Sequence, residues 1–146
     1  MKTITKILCA VDLSEQSTIV ANYATNLAQT LGASIVALYV APAAGQYVGF
    51  HVPPETITQF IDDITTGAEN SMQAFVAEHF SAVPTEGRVV IGDAAEAILA
   101  QAEKDKIDMI VMGTHGRTGM DRVLFGSVAE RVVTSAACPV LTVRPQ

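Results

Sequence analysis

The sequence predicts an α/β fold built on a parallel sheet covered by helices on both faces. Two observations predict it. Short, continuously apolar runs recur along the chain, as expected of strands buried on both sides. Between them lie longer segments with apolar residues at helical spacing, so strand and helix alternate, and right-handed crossovers are expected. The length of 146 residues fits one domain, and with 49% apolar and 16% charged residues the chain is neither disordered nor short of core material.

The first apolar run, Ile4 to Val11 (ITKILCAV), reads as a strand. Ser14 stands as the N-cap of a helix from about Glu15 to Leu31, where Ile19, Tyr23, Leu27 and Leu31 repeat every four residues. Gly32 supplies its left-handed stop. Ser34 to Val40 (SIVALYV) is the second strand. Pro42 to Pro54, rich in Pro and Gly, is a loop.

A long helix follows, from about Glu55 to Phe80. Ile57, Phe60, Ile61, Ile64, Ala68, Met72, Phe75 and Val76 form one stripe, read as core, and Gly67 is a point where the helix would bend or break. Gly87 to Ile91 is a short third strand. Asp93 and Glu96 form a capping box for a helix to about Lys104. Ile107 to Met112 (IDMIVM) is the fourth strand. Ser127 and Glu130 form a second capping box for the last helix, and Pro139 to Val143 (PVLTV) is the fifth strand.

Charge narrows the function. The net charge of -6 argues against bulk nucleic-acid binding. Between Lys6 and Arg88 there is no basic residue, whereas Arg117, Arg122 and Arg131 follow a glycine cluster, where a small anion would be attracted. No apolar run approaches the ~18 residues of a membrane span. The N-terminus has no signal-peptide pattern, so a cytoplasmic location is expected. Cys9 and Cys138 make no disulfide framework: with the fourth strand between theirs they would lie roughly 10 Å apart, and neither has a base to activate it. No Cys/His cluster has zinc spacing.

In parallel sheets of this kind ligands bind beyond the carboxyl ends of the strands, where the strand order reverses. After the fourth strand comes Gly113-Thr114-His115-Gly116-Arg117-Thr118-Gly119, and Gly126-Ser127 opens the last helix. Glycines that permit positive φ and close approach, together with helix N-terminal amides, make an anion site, and phosphate is its natural guest. The spacing is neither the Walker pattern, which needs Gly-Lys-Ser/Thr, nor the dinucleotide fingerprint, which follows the first strand.

These residues resemble the universal stress protein family of the nucleotide-binding kind. The family motif G-x2-G-x9-G-[S/T] is matched by Gly113, Gly116, Gly126 and Ser127. The resemblance extends along the chain through ILCAVDLSEQS, ALYV, VVIGDAAEAIL, DMIVMGTHGRTGMDRVLFGSVAERVV and CPVLTVRP. It implies one domain over residues 1–146, a sheet in the order three-two-one-four-five, ATP between strands one and four, and a homodimer paired through the last strand. By position, it implies that Ala10, Val11 and Asp12 line a nucleoside pocket and that Val40 meets adenine. Met112 and Gly113 would flank ribose and phosphates, and Gly116, Arg117, Gly126, Ser127 and Val128 would hold the phosphate chain. A divalent ion, Mg2+ or Mn2+, would be held mainly by the phosphates.

Each residue also has a plainer reading. Asp12 either accepts bonds from ribose hydroxyls or a metal-bound water, or is a turn residue before the first helix. Ser127 donates to a phosphate, caps its helix, or does both. Gly126 admits a phosphate or only suits the start of a helix. Arg117 and Arg122 neutralise phosphate or are solvated. His115 lies in the phosphate loop, with no carboxylate placed beside it by the sequence. Three functions follow: a stress-responsive ATP-binding switch, a slow ATPase or nucleotidyl-transfer enzyme on the same site, and an interaction protein that uses no nucleotide. The ATP-pyrophosphatase loop Ser-Gly-Gly is absent after the first strand, which reads Asp12-Leu13-Ser14. The last strand, as an apolar sheet edge, is itself a pairing surface unless Arg144-Pro145 blunts it.

Overall fold

The computed structural model describes residues 2–43, 53–115 and 126–144. Strands β1 (Lys6–Ala10), β2 (Ser34–Ala41), β3 (Thr85–Ile91), β4 (Met109–Gly113) and β5 (Val140–Val143) alternate with helices α1 (Glu15–Leu31), α2 (Pro54–His79), α3 (Ala94–Lys104) and α4 (Ser127–Ser135). The strands form one sheet in the order β3-β2-β1-β4-β5, and all four pairings are parallel.

Side chains alternate across the sheet and divide the core into two layers. Ile7, Cys9, Ile35, Ala37 and Val111 pack with Val20, Ala24 and Ala28 of α1 and Met72 and Phe75 of α2. Leu8, Val36, Leu38, Ile110 and Met112 pack with Ala95 and Ile98 of α3 and Ala129 and Val132 of α4. The chain first steps outward from β1 to β3, carrying α1 and α2 on one face. It then returns past β1 to β4 and β5, carrying α3 and α4 on the other. With a constant hand of crossover, reversing the direction of travel must change the face. That reversal separates the carboxyl ends of β1 and β4.

Two helix boundaries follow their sequence signals. Gly32 ends α1 at φ 67, with its N–H on the Ala28 carbonyl. Asp93 caps α3 by accepting from the Glu96 amide at 3.0 Å. The α4 start differs from expectation: Gly126 is the N-cap and Ser127 is the first helical residue, with no side-chain cap bond, so the Ser127–Glu130 capping box does not form. Helix α2 runs through Gly67 without a break. Its stripe is core only toward its end. Met72 and Phe75 are buried, whereas Ile57, Ile61, Ile64 and Ala68 are half-buried and Phe60 is 49% exposed. Near the end of α2 the helix presses on β3, where a Cβ on Gly87 would lie 2.7 Å from Met72 Cγ.

Both cysteines are free. Cys9 is wholly buried in β1, and burial pushes its thiol up to about 12, which removes it as a nucleophile at neutral pH. Burial also raises Cys138. No described helix is long and apolar enough to cross a membrane.

At the amino end of the sheet, buried Asp108 ties β1 to the segment leading into β4. Its Oδ2 accepts from Thr5 N at 2.9 Å, Thr5 Oγ1 at 3.0 Å and Lys6 N at 3.1 Å, and Lys2 Nζ lies 3.1 Å from Oδ1. The Thr5 amide and the Lys2 ammonium, foremost among these donors, lower its carboxyl to about 2.

Candidate functional site at the sheet reversal

The register brings three segments to one place. Cys9 pairs with Val111 across β1–β4 and Ala10 with Leu38 across β1–β2. Continued by two residues, it sets Asp12 level with Val40 and close to the level of Thr114. Val11 N donates to Leu38 O at 2.9 Å, so the extended backbone persists one residue past β1. The chain then turns sharply: Leu13 is left-handed at φ 63, an uncommon conformation for a side chain of its size.

Asp12 is held within this turn. Its Oδ1 accepts from Ser14 N at 2.9 Å, from Ser14 Oγ, and from Ser17 Oγ at 2.6 Å, and its own N–H donates to Ser17 Oγ at 2.8 Å. Ser14 is therefore the N-cap of α1 by position and backbone angles, but its hydroxyl serves Asp12 and not the helix amides. Sequence reasoning read Ser14 only as a cap and passed over Ser17. The signal was present: an Asp two residues before a Ser is an Asx-turn pattern, and a second Ser one helical turn later returns to the same side.

On the β4 side, Met112 is buried against α3 and α4, and Thr114 is buried beyond it. Thr114 N donates to Val143 O of β5 at 3.0 Å, and Thr114 O accepts from Gly126 N at 2.7 Å. This second bond fixes the start of α4 beside the end of β4. The Thr114 hydroxyl lies 3.0 Å from His115 Nδ1, while His115 Nε2 is buried with no hydrogen-bond partner among the described residues.

Gly113 and Gly126 do not use the left-handed region, contrary to the expectation that these glycines permit positive φ. Among the described residues, only Gly32 and Gly92 are glycines with positive φ. Gly113 is small for an internal reason: a Cβ there would lie 3.2 Å from His115 O. Gly126 differs, at φ -70 with no contact nearer than 3.4 Å to a Cβ. Among the described residues nothing demands a glycine there beyond its suitability as an N-cap.

The first intrahelical bond of α4 runs from Glu130 N to Gly126 O, so the amides of Ser127, Val128 and Ala129 precede the ladder. Helix geometry directs such groups outward from the N-terminus as an anion-favouring end. Ser127 is exposed, Val128 is half-buried over the α3–α4 layer, and Ala10 and Val40 are half-buried on that same side. Arg131 does not add to the anion-attracting charge as expected. It pairs with Asp93 at 3.1 Å and Glu96 at 3.4 Å on α3. Gly116, Arg117 and Arg122 lie outside the described residues. Among the described residues, no three His, Cys, Asp or Glu side chains stand together as a metal site.

The sequence profile of the universal stress protein family matches residues 3–144. The chain belongs to the universal stress protein family. Universal stress protein MJ0531 of Methanocaldococcus jannaschii is 37% identical over 141 residues, covering 95% of this chain and 81% of that protein. The universal stress protein A homolog 1 of Coxiella burnetii is 31% identical, covering 94% of each. Among solved structures, that of MJ0577 superposes with a TM-score of 0.86 at 26% identity, covering 99% of both chains. UspA of Lactobacillus plantarum superposes with a TM-score of 0.81 at 29% identity, covering 99% of this chain and 100% of that one. Two more distant universal stress proteins share the fold. One, at 22% identity and TM-score 0.64, is in complex with cAMP. The other, from Archaeoglobus fulgidus at 21% identity and TM-score 0.66, is in complex with dAMP.

Proposed function

We propose that this universal stress protein is a cytoplasmic ATP-binding regulatory module. In this reading the nucleotide lies across the reversal between β1 and β4, and its occupancy reports to partners through a homodimer. One observation carries the reading. The carboxyl end of β1 presents a carboxylate anchored by two serines, and the adjoining end of β4 presents a helix N-terminus with no side-chain cap. The first suits the hydroxyl donors of a sugar, and the second suits a phosphate.

The pieces fit an adenine nucleotide in order. Val40 and Ala10 supply apolar surface for a base, with Val11 extending the β1 backbone beside it, and Met112 at the end of β4 flanks the ribose. Asp12 meets the ribose. Gly113, Gly116, Arg117, Gly126, Ser127 and Val128 take the phosphates. His115 Nε2, buried and without a partner among the described residues, gains a hydrogen-bond partner when an anion arrives. A glycine at 126 leaves room for a group approaching from outside. The cAMP and dAMP complexes of distant relatives support an adenine nucleotide as the class of ligand. With no described cluster of metal-ligating side chains, a divalent ion would be held by phosphate oxygens and would supply charge neutralisation there.

Calorimetry with magnesium and ATP tests the reading. Wild type is expected to bind at micromolar levels. Gly116→Val and Gly126→Val are expected to abolish binding with circular dichroism unchanged. Wild type that binds no nucleotide would leave an interaction protein as the remaining reading. For the homodimer, β5 is a sheet edge with Leu141 exposed. Leu141→Asp is expected to sediment as a monomer where the wild type sediments as a dimer.

A further inference from the structure

We infer that Ser17, assisted by Ser14, is a positioning residue that aims the Asp12 carboxylate at the sugar hydroxyls of the nucleotide. The inference rests on the nucleotide-binding reading and assigns the part of the ligand that this end of the site reads.

The geometry gives Ser17 little other purpose. It is 3% exposed in the first turn of α1, and a buried hydroxyl is tolerated only when it is hydrogen-bonded. Both of its bonds go to one residue. The Asp12 amide donates into Ser17 Oγ at 2.8 Å, which turns the hydroxyl proton away from that side. The hydroxyl then donates to Asp12 Oδ1 at 2.6 Å. Ser14 adds its amide at 2.9 Å and its hydroxyl to the same oxygen. Three donors on Oδ1 fix both side-chain torsions, so the direction of Oδ2 is fixed as well.

Two local sacrifices accompany this arrangement. The α1 N-terminus forgoes its side-chain cap, because the Ser14 hydroxyl faces Asp12. Leu13 stays left-handed at φ 63, so that Ser14 can fold back onto the carboxylate. Departures of this kind collect where a site must be held in one shape. An ionised carboxylate only accepts, so its natural partners are hydroxyl donors, and a nucleotide offers them on its sugar.

The test compares ATP with 2′,3′-dideoxy-ATP, both with magnesium, by calorimetry on wild type, Ser17→Ala, Asp12→Asn and the double variant. Wild type is expected to bind ATP more tightly than the dideoxy analogue. Ser17→Ala should weaken ATP by roughly 10- to 100-fold, the range for loss of an orienting partner. It should leave the analogue within about twofold, so that the preference disappears, consistent with an effect confined to one polar contact. Asp12→Asn should remove the same preference, and the double variant should lose no more than either single one. Ser14→Ala, at a less buried position, should reduce the preference in the same direction, and it serves if Ser17→Ala does not fold. Equal weakening of both nucleotides, or no weakening, would make Ser17 a structural residue only and overturn the inference. Wild type that binds both nucleotides equally would overturn it too, while leaving nucleotide binding intact. Wild type that binds neither removes the nucleotide reading and the inference together.

Discussion

Two aspartates stand at opposite ends of the central strands, and they are used in opposite ways. Asp108, at the amino end, is buried, and both of its oxygens are engaged by residues 2–6. Its partners include two backbone amides, so it acts as a clip between segments far apart in sequence. Asp12, at the carboxyl end, is half-buried, and three donors from the turn and α1 converge on its Oδ1. The same functional group closes one edge of the sheet and orients the other. The difference lies in where the donors come from. Donors from a neighbouring strand make a joint, while donors from the residue's own turn make a mount.

The sharpest way to break this comparison is Asp108→Ala. It takes the charged acceptor from two backbone amides and a hydroxyl, and is expected to cost about 3 kcal/mol in urea unfolding with nucleotide affinity unchanged. Acid should act on the same joint. Asp108 is lowered to about 2, below its unfolded value, so its contribution is present above the unfolded value and is lost as pH falls through the folded one. Between about pH 5 and pH 2 stability should drop by about 2 kcal/mol, and in Asp108→Asn that part of the pH dependence should vanish. Asp12→Asn should behave oppositely, with a stability change below about 1 kcal/mol and a clear loss of ATP affinity. The smallest effect belongs to Lys2→Ala. Its side chain is 78% exposed, so after screening the loss should be about 0.5 kcal/mol or less and should fade in salt.

The elements of the mount and the joint were unequally legible in the sequence. The central strands β1, β2 and β4 could be read because a strand buried on both faces has a continuous apolar run, and IDMIVM carried that signal despite its one acid. That Asp108 would be a joint could not be read, because its partners at Thr5 and Lys6 come from 103 and 102 residues away. Local periodicity holds no such information. The α2 stripe was overread for a related reason. Spacing shows which side of a helix is apolar, but not how far the sheet extends beneath it. A helix of 26 residues is ~39 Å long, whereas the seven residues of β3 span only ~23 Å. The early part of α2 therefore runs past the sheet. At the candidate site, Asp12, Gly113, Gly126 and Ser127 were legible from motif and resemblance. The division of labour between Gly113, which is small for its own turn, and Gly126, which is not, needed coordinates.

The central position of β1 has a consequence for the order in which the protein is made. Its partner on one side, β2, follows within the next 31 residues, but its partner on the other, β4, begins only at Met109. Until then a chain leaving the ribosome carries β1 with one row of backbone donors and acceptors unmatched, beside side chains that are fully buried in the finished fold. Such an edge invites pairing with another chain. The late arrival of β4, with Asp108 closing onto Thr5 and Lys6, is the step that ends this exposure, so synthesis of the last third of the chain sets how long the first third is vulnerable.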